Sequence, residues 1–187
     1  MKICHLAITH NVLADSRILD RMAKRAALNG HNVVIITSGT ESQIIDNVRL
    51  ETVSINKLSK LFYPILWIKC LIQAIQEKSD IYHIHEVPLM LTGLILKALG
   101  KKIVVDFHED FEAELFEKHY LNKFLMWFFY ALYQPFKWIF VPIFDHIVIA
   151  EDSYRLNFPH VSHKLTSIKN YPKVEEFKFN EYLMPDI

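Results

Sequence analysis

Short runs rich in valine and isoleucine alternate along this chain with longer stretches of helical periodicity. Several runs are apolar at consecutive positions, as strands buried on both faces of a sheet are. Strands that alternate with helices are typical of βαβ units around a parallel sheet. The sequence therefore predicts an α/β protein, a Rossmann-like doubly wound parallel sheet of about six to seven strands flanked by helices. The predicted strands lie at residues 2–8, 32–38, 48–55, 80–85, 102–107, 145–150 and 165–169.

Four helices are predicted between these strands. The first is indicated by apolar residues at helical spacing from residue 18 to residue 28. Asp15 or Ser16 is its expected N-cap, and Gly30 is expected to end it. The other predicted helices span 57–78, 87–99 with Gly100 as the stop, and 110–120.

The charge and cysteine content narrow the class of protein. Lys+Arg and Asp+Glu both number 21, so the net charge is zero, which argues against a general electrostatic grip on nucleic acid. Cys4 and Cys70 both lie in apolar runs and predict buried thiols in a reducing compartment. The first apolar run is too short for a signal peptide. We therefore expect a cytoplasmic protein that does not bind nucleic acid.

Residues 124–144 hold ten of the chain's 24 aromatic residues and allow three interpretations. Their length suits a transmembrane helix, although Pro135, Pro142 and Lys137 interrupt the apolar run. The second interpretation is a buried helix pair on the sheet. The third is a partly exposed surface on the inner membrane face, with Trp127, Tyr130, Tyr133 and Trp138 at the interface and Lys123 and Lys137 meeting anionic headgroups.

Polar side chains follow the carboxyl ends of four predicted strands. Because ligands bind beyond these ends in open α/β sheets, we expect a site for a polar ligand there. His108 is the candidate for proton handling, since it follows a strand directly and precedes a carboxylate that can orient it. The candidate binding residues are Asn11, Asp15, Ser16 and Arg17 after the first strand, His85 and Glu86 after the fourth, Glu109 after the fifth and Glu151 after the sixth.

Each candidate also has a structural interpretation. Asp15 and Ser16 suit helix caps, and His108 suits a hydrogen-bonded core histidine. Arg17 opposes the dipole of the helix it begins, so a partner such as Asp15, Asp20 or Glu109, or an anionic ligand, is expected for it. A metal site made of His83, His85, Glu86 and His108 is a further alternative, although the spacing is not diagnostic.

The common phosphate-binding and hydrolase motifs are missing from the sequence. With only four glycines, it contains neither a GxGxxG fingerprint nor a GxxxxGK[ST] loop, and no GxSxG elbow. The residues alone therefore predict a polar ligand site on an α/β sheet, with no complete catalytic apparatus.

Four segments, taken in order, resemble the N-terminal, acceptor-side domain of retaining glycosyltransferases of the GT-B type, the group 1 or family 4-like glycosyl transferases. The first segment contains a DSR-like helix start and a GH-V second strand, and the second contains an HIHE motif followed by a VVDFHED motif. The resemblance extends over roughly residues 1–178, and the segments are 9–37, 80–111, 146–158 and 165–177.

The resemblance implies a function and a domain arrangement. Such enzymes transfer a sugar from a nucleotide-sugar co-substrate to an acceptor hydroxyl, here of hexosyltransferase type and in cell-surface glycan synthesis. His108 matches the histidine at the donor sugar, and His85 and Glu86 match the pair after the fourth strand. Residues 1–172 would form the N-terminal domain and 173–187 a tail towards an absent donor-binding domain.

By the same resemblance, the chain alone is expected to be inactive and to bind a sugar acceptor. The aromatic segment 124–144 would suit a lipid-linked acceptor, and we expect no cofactor or metal. Two other hypotheses remain open. One is a stand-alone Rossmann-like binding or scaffold module that pairs with a separate donor-binding chain. The other is a metal-assisted hydrolase that uses His83, His85 and His108.

Overall fold

The computed structural model describes residues 1–9, 11–39, 41–54, 63–117 and 122–171. Within these ranges the strands are β1 Lys2–Ala7, β2 Asn32–Ser38, β3 Gln43–Ile45, β4 Val48–Val53, β5 Ile81–Ile84, β6 Lys102–Phe107, β7 His146–Ile149 and β8 Leu165–Ser167. They form a single eight-stranded sheet in the order β3-β4-β2-β1-β5-β6-β7-β8, and every pairing except β3 with β4 is parallel. The predicted α/β doubly wound fold is thereby confirmed.

Strand β3 is the one that the sequence pattern did not predict. It has only three residues, largely exposed, and pairs antiparallel with β4. The hairpin turns at Asp46 and Asn47, whose φ values of 48° and 65° lie in the left-handed region that Asn and Asp tolerate better than most residues. Because an exposed edge strand needs no apolar run, the sequence pattern did not reveal β3. The predicted count of six to seven strands was therefore too low.

The helices follow the predicted order with shifted ends. The first begins as a π-helical turn and continues as α1, and its N-terminus is capped by Asp15, whose Oδ1 accepts from the backbone N–H groups of Arg17 and Ile18 at 2.9 and 3.0 Å. Ser16 makes no side-chain cap bond. Gly30 and Gly100 follow helix ends with φ of 79° and 77°, as predicted. The elements are the π-turn Arg17–Ala23, α1 Lys24–Leu28, α2 Tyr63–Glu77, α3 Met90–Ala98, α4 Phe111–Glu117 and α5 Lys123–Phe140.

Parts of two predicted helices lie outside the described residues, namely 57–62 and 118–120. The beginning of the third predicted helix is a 3₁₀ turn, Val87–Leu89, with Pro88 inside it. Proline lacks the N–H group that a helix interior needs but is tolerated in a first turn, which explains why the regular α3 starts only at Met90.

The two faces of the sheet are covered differently. The larger core places α2, α3 and the segment after α5 on one face, around Cys4, Leu6 and Tyr82. The smaller core packs the π-turn on β1, β2 and β4 through Ile18, Leu19 and Ala23. Successive residues of a strand point to opposite faces, so His5 points to the face of the smaller core. Both cysteines are buried and free, as predicted.

Residues 124–144 form neither a buried helix pair nor a membrane span. One helix, α5, continues through Pro135 and leads into a 3₁₀ turn at Val141–Ile143. In the described part of the chain, no helix is long and apolar enough to cross a bilayer. Much of the α5 surface is exposed, including the large apolar side chains of Phe124, Leu125, Trp127, Phe128, Phe129, Leu132, Trp138 and Ile139. These eight residues are called the aromatic face below.

Two residues expected at the membrane interface are buried instead. Lys137 is 5% exposed and forms an ion pair with Glu112 of α4. Tyr133 is 7% exposed and its ring contacts that of Phe111 at 4.5 Å between centroids. The expected roles of Lys137 at lipid headgroups and Tyr133 at the interface were therefore wrong, because both residues lie on the side of α5 that docks onto α4.

A substitution at Gly93 in α3 tests the packing of the larger core. A Cβ atom there would overlap Ile84 Cδ1 and lie 3.2 Å from Phe144 Cε1, and both of these side chains are fully buried. Overpacking of this kind costs about 1–3 kcal/mol. We expect Gly93→Ala to lower the free energy of unfolding in urea by that amount. Leu91→Ala, at an exposed site of the same helix, should change it by less than about 0.5 kcal/mol; equal effects would contradict the packing described here.

Candidate functional site

The candidate site lies where the strand order reverses. β1 is flanked by β2 on one side and by β5 on the other, so the connections leave the sheet in opposite directions at this point. Such a switch point opens a crevice at the carboxyl ends of the strands. Thr9 after β1, Glu86 after β5 and His108 after β6 all line a cleft of about 290 Å³ there.

A buried carboxylate, Asp106, lies behind this cleft at the end of β6. Arg17 donates to it twice, from Nε to Oδ2 at 3.1 Å and from Nη2 to Oδ1 at 2.8 Å. The third donor of the guanidinium, Nη1, bonds the carbonyl oxygen of Ile168 at 2.6 Å. The side chains of Arg17 and Asp106 are 4% and 0% exposed. The Arg17 guanidinium thus pairs with Asp106, which was not among the expected partners Asp15, Asp20 and Glu109, and its burial leaves it closed to an anionic ligand.

Two histidines contact the same carboxylate. His108 Nε2 lies 3.0 Å from Asp106 Oδ2, and His85 Nδ1 lies 3.3 Å from it. Burial alone would raise the pKa of the Asp106 carboxyl, but the hydrogen bonds from the histidines and from Arg17 outweigh burial and hold this pKa well below its ordinary value. Asp106 therefore stays ionised and accepts hydrogen bonds from the surrounding N–H groups.

A chain of imidazoles extends from the cleft into the sheet. His108 Nε2 lies 2.9 Å from His85 Nδ1, and His85 Nε2 lies 2.8 Å from His5 Nδ1. With the Nδ1 edge of His85 turned to the carboxylate, its Nε2 is left to accept a hydrogen bond from His5. Burial, together with the neighbouring imidazoles, lowers the pKa of His5 and His83 well below the ordinary histidine value, so both rings are neutral near pH 7.

His108 is the imidazole of this network that opens onto both clefts. Its side chain is 13% exposed, and it lines both the first cleft and a second cleft of about 380 Å³. A neutral or protonated imidazole held at one nitrogen by a carboxylate can exchange hydrogen bonds or protons with a hydroxyl group at the other. The arrangement suits a polar, hydroxyl-bearing ligand.

The predicted site residues fall into four groups. His85, Glu86, His108 and Glu109 line the first cleft, where Glu86 Oε1 accepts from the Thr9 N–H at 2.5 Å. Glu151 lines the second cleft with Asp152, which pairs with Lys169 at 2.9 Å. Asn11 lines a third cleft beside Thr37 and Thr52. Asp15 and Ser16 belong to the start of the first helix, and Arg17 is buried behind the first cleft.

The sequence reasoning missed two residues, Asp106 and His5. Asp106 was included in a buried strand run, although a carboxylate inside the run KIVVDF needs a cationic partner. The partner of Arg17 was sought among Asp15, Asp20, Glu109 and an anionic ligand instead. His5 alternates with Cys4 and Leu6, so it lies on the opposite face of β1. The suggested metal set of His83, His85, Glu86 and His108 is not what the structure groups together; among the described residues the compact sets are His5, His83 and His85, and His85, Asp106 and His108.

Removing Arg17 tests the assignment of the buried ion pair. Arg17→Met leaves the Asp106 carboxylate buried without its bidentate cation, and breaking such a pair costs about 3–5 kcal/mol. We expect that loss in the free energy of unfolding measured in urea. Arg25→Met, on the exposed surface of α1, should cost less than about 0.5 kcal/mol. A similar cost for the two variants would contradict the role given to Arg17.

The fold is shared with solved structures that include a sucrose-phosphate synthase and a glycosyltransferase. A sucrose-phosphate synthase from Thermosynechococcus elongatus superposes on 95% of the chain with a TM-score of 0.67 at 12% identity, covering 50% of that protein. A glycosyltransferase from Rickettsia africae ESF-5 gives 0.59 at 13% identity over 90% of this chain and 42% of its own. Anabaena Alr3699/HepE, solved in complex with UDP and glucose, gives 0.57 at 12% identity over 94% and 46%. The chain thus spans about half the length of these structures.

The sequence itself carries the family signature. No curated protein matches it significantly. The pattern described as Glycosyltransferase Family 4, however, matches residues 16–155, about three quarters of the chain, and includes the Arg17, His85, Asp106 and His108 positions of the buried network. The resemblance predicted from the sequence segments is thereby confirmed, and the chain belongs to glycosyltransferase family 4.

Proposed function

We propose that this chain is the acceptor-side domain of a glycosyltransferase that moves a hexose from a nucleotide-sugar to an acceptor hydroxyl in glycan synthesis. The observation that carries the proposal is His108, a partly exposed imidazole held by the buried Asp106–Arg17 pair at the mouth of a polar cleft. Family membership supports sugar transfer, and the position of the cleft at the switch point supports a substrate-binding role.

The first cleft suits a sugar acceptor. Glu109 offers exposed carboxylate oxygens and His108 offers an imidazole nitrogen, while Glu86, which is 6% exposed and bonded through Oε1 to the Thr9 N–H, forms part of the cleft wall. Carboxylates accept hydrogen bonds from hydroxyl groups, and several such acceptors around one cleft orient a polyol. In this proposal the two glutamates position the acceptor, and His108 lies beside the sugar that is transferred.

The nucleotide is assigned to a second domain. The solved relatives are about twice as long as this chain, and the structure of HepE contains UDP and glucose. In the proposal, the donor domain faces the carboxyl ends of the strands and places the donor sugar against His108. The chain by itself then binds acceptor but does not turn over a nucleotide-sugar.

Substitution of His108 in the intact enzyme tests the proposal. General acid–base or polar contacts of this kind contribute about 10²–10⁴-fold to rate. We therefore expect His108→Ala to lower kcat/KM by that factor, far more than the lost hydrogen bond to Asp106 lowers the melting temperature of the domain. His163→Ala, at an exposed site, should leave both unchanged. Equal losses of activity and stability for His108→Ala would give this residue a purely structural role.

Steady-state kinetics of the intact enzyme also distinguish a role in acceptor binding from a role in donor binding. Glu86→Gln keeps the size of the side chain but weakens its hydrogen-bond acceptance. The acceptor-side assignment requires a higher KM for the acceptor and an unchanged KM for the nucleotide-sugar. A change confined to the donor KM would contradict it.

We also propose that the aromatic face of α5 contacts a lipid bilayer. Its support is the exposure of eight large apolar side chains on one helix, including Trp127 at 59% and Trp138 at 50%. Tryptophan favours the membrane–water interface, and an exposed apolar strip of this kind suits a helix lying in the plane of the membrane. A lipid-linked acceptor would then meet the cleft at the membrane surface.

Flotation with liposomes tests the membrane contact. Since Lys137 is buried, apolar insertion rather than charge should dominate, and we expect the protein to float with anionic and, more weakly, with neutral vesicles. Trp127→Glu combined with Trp138→Glu should abolish flotation, and Leu156→Glu, at a site 84% exposed away from α5, should not. Recovery of the unmodified protein wholly in the soluble fraction would rule the contact out.

A further inference from the structure

Three histidines meet on the sheet face behind the first cleft. His5 of β1 and His83 of β5 are direct neighbours in the strand register, and His85 follows two residues later on the same face of the chain. Their ring centroids lie 4.3–5.2 Å apart. Each ring offers one nitrogen to the cluster, and these three nitrogens all lie within 4.8 Å of one another. The cluster therefore presents three imidazole nitrogens to one small volume.

Two of these rings have a buried nitrogen without a hydrogen-bond partner. Among the described residues, Nε2 of His5 and Nε2 of His83 are both inaccessible and unbonded. A buried polar atom left unsatisfied costs about 1–3 kcal/mol, so two adjacent examples are uncommon in a stable core. In a cluster whose three rings offer nitrogens within 4.8 Å of one another, the unbonded Nε2 of His83 indicates room for an occupant that accepts an electron pair from nitrogen.

The third ring is oriented by its outer partner. His85 Nδ1 lies 3.3 Å from Asp106 Oδ2, and Arg17 fixes that carboxylate from its other side. A carboxylate behind the far nitrogen of an imidazole is the usual outer shell of a metal-bound histidine, because it fixes the tautomer and raises the basicity of the ligating nitrogen. In His85 this leaves Nε2 directed towards His5.

The distances are close to those that coordination requires. His85 Nε2 and His5 Nδ1 lie 2.8 Å apart as a hydrogen-bonded pair. Two ligands at about 2.0–2.1 Å from a tetrahedral Zn²⁺ lie roughly 3.3 Å apart. Replacing the shared proton by a metal ion therefore needs the two nitrogens to separate by about half an ångström and both rings to turn, so that their lone pairs meet at an ion off the N···N line.

We propose that His5, His83 and His85 bind one divalent transition-metal ion of the Zn²⁺ type, with a fourth position open to water. Three neutral imidazoles suit zinc, cobalt, nickel and copper and disfavour magnesium and calcium. The ion would lie on the side of His85 opposite to Asp106, and occupancy would reach His108 through His85, whose Nδ1 contacts both Asp106 and His108. The proposal does not depend on sugar transfer.

Cobalt substitution tests the site directly on the 187-residue chain. After dialysis against a chelator, Co²⁺ titration should give one equivalent per chain and the visible absorption of a cobalt ion with fewer than six ligands, and Zn²⁺ should displace it. His83→Ala should weaken binding by more than the 10–100-fold that loss of an outer-shell partner costs. His163→Ala, an exposed histidine, should bind as the unmodified protein does.

Further measurements keep the test decisive if a variant folds poorly. His83→Asn retains a polar side chain and should also lose metal, with its fold checked by circular dichroism. The X-ray absorption spectrum of the zinc-loaded chain should show three imidazole nitrogens at about 2.0–2.1 Å. Failure to bind one equivalent of metal, fewer than three imidazole ligands, or unchanged affinity in both His83 variants would overturn the proposal and leave water as the occupant of the cluster.

Discussion

The buried ion pair between Arg17 and Asp106 connects parts of the fold that are distant in sequence. Asp106 at the end of β6 would be unstable as a charge in the interior without a bidentate partner, and Arg17 reaches it from the start of the first helix. The same carboxylate holds His108 and His85. The orientation of His108 therefore depends on Arg17, which lies 91 positions earlier in the chain. A substitution of either Arg17 or Asp106 would change the position of His108 in the cleft.

Most of the fold was predictable because it rests on patterns that are local in sequence. Runs of valine and isoleucine mark β2 and β6, and the left-handed positions that end two helices are occupied by Gly30 and Gly100. Strand β3 was not predictable in this way, since its pairing depends on a turn at Asp46 and Asn47 rather than on apolar residues. The domain boundary at residue 172 remains a prediction.

The position of the candidate site was predictable from the sequence, but the hydrogen bonds and ion pairs within it were not. Strand ends indicated His85, Glu86 and His108, whose proximity follows from the parallel sheet. The partner of Arg17 could not be read from local spacing, because the pair joins β6 to the first helix across the sheet. For α5, helical periodicity alone does not separate the side that docks from the side that is exposed; only packing against α4 showed that Lys137 and Tyr133 point inward.

A third hydrogen bond of Arg17 connects the Arg17–Asp106 pair to the edge of the sheet at β8. Its Nη1 bonds the carbonyl of Ile168, just after β8, and Arg21 bonds Asn170 Oδ1 from the next turn at 2.5 Å. The first helix is thereby clamped to the segment through which the chain leaves the sheet. If that segment shifted, the guanidinium would be drawn with it, and the carboxylate that aligns His108 would turn as well. The segment after β8 therefore shares its contacts with the same helix start whose arginine holds the carboxylate behind the cleft.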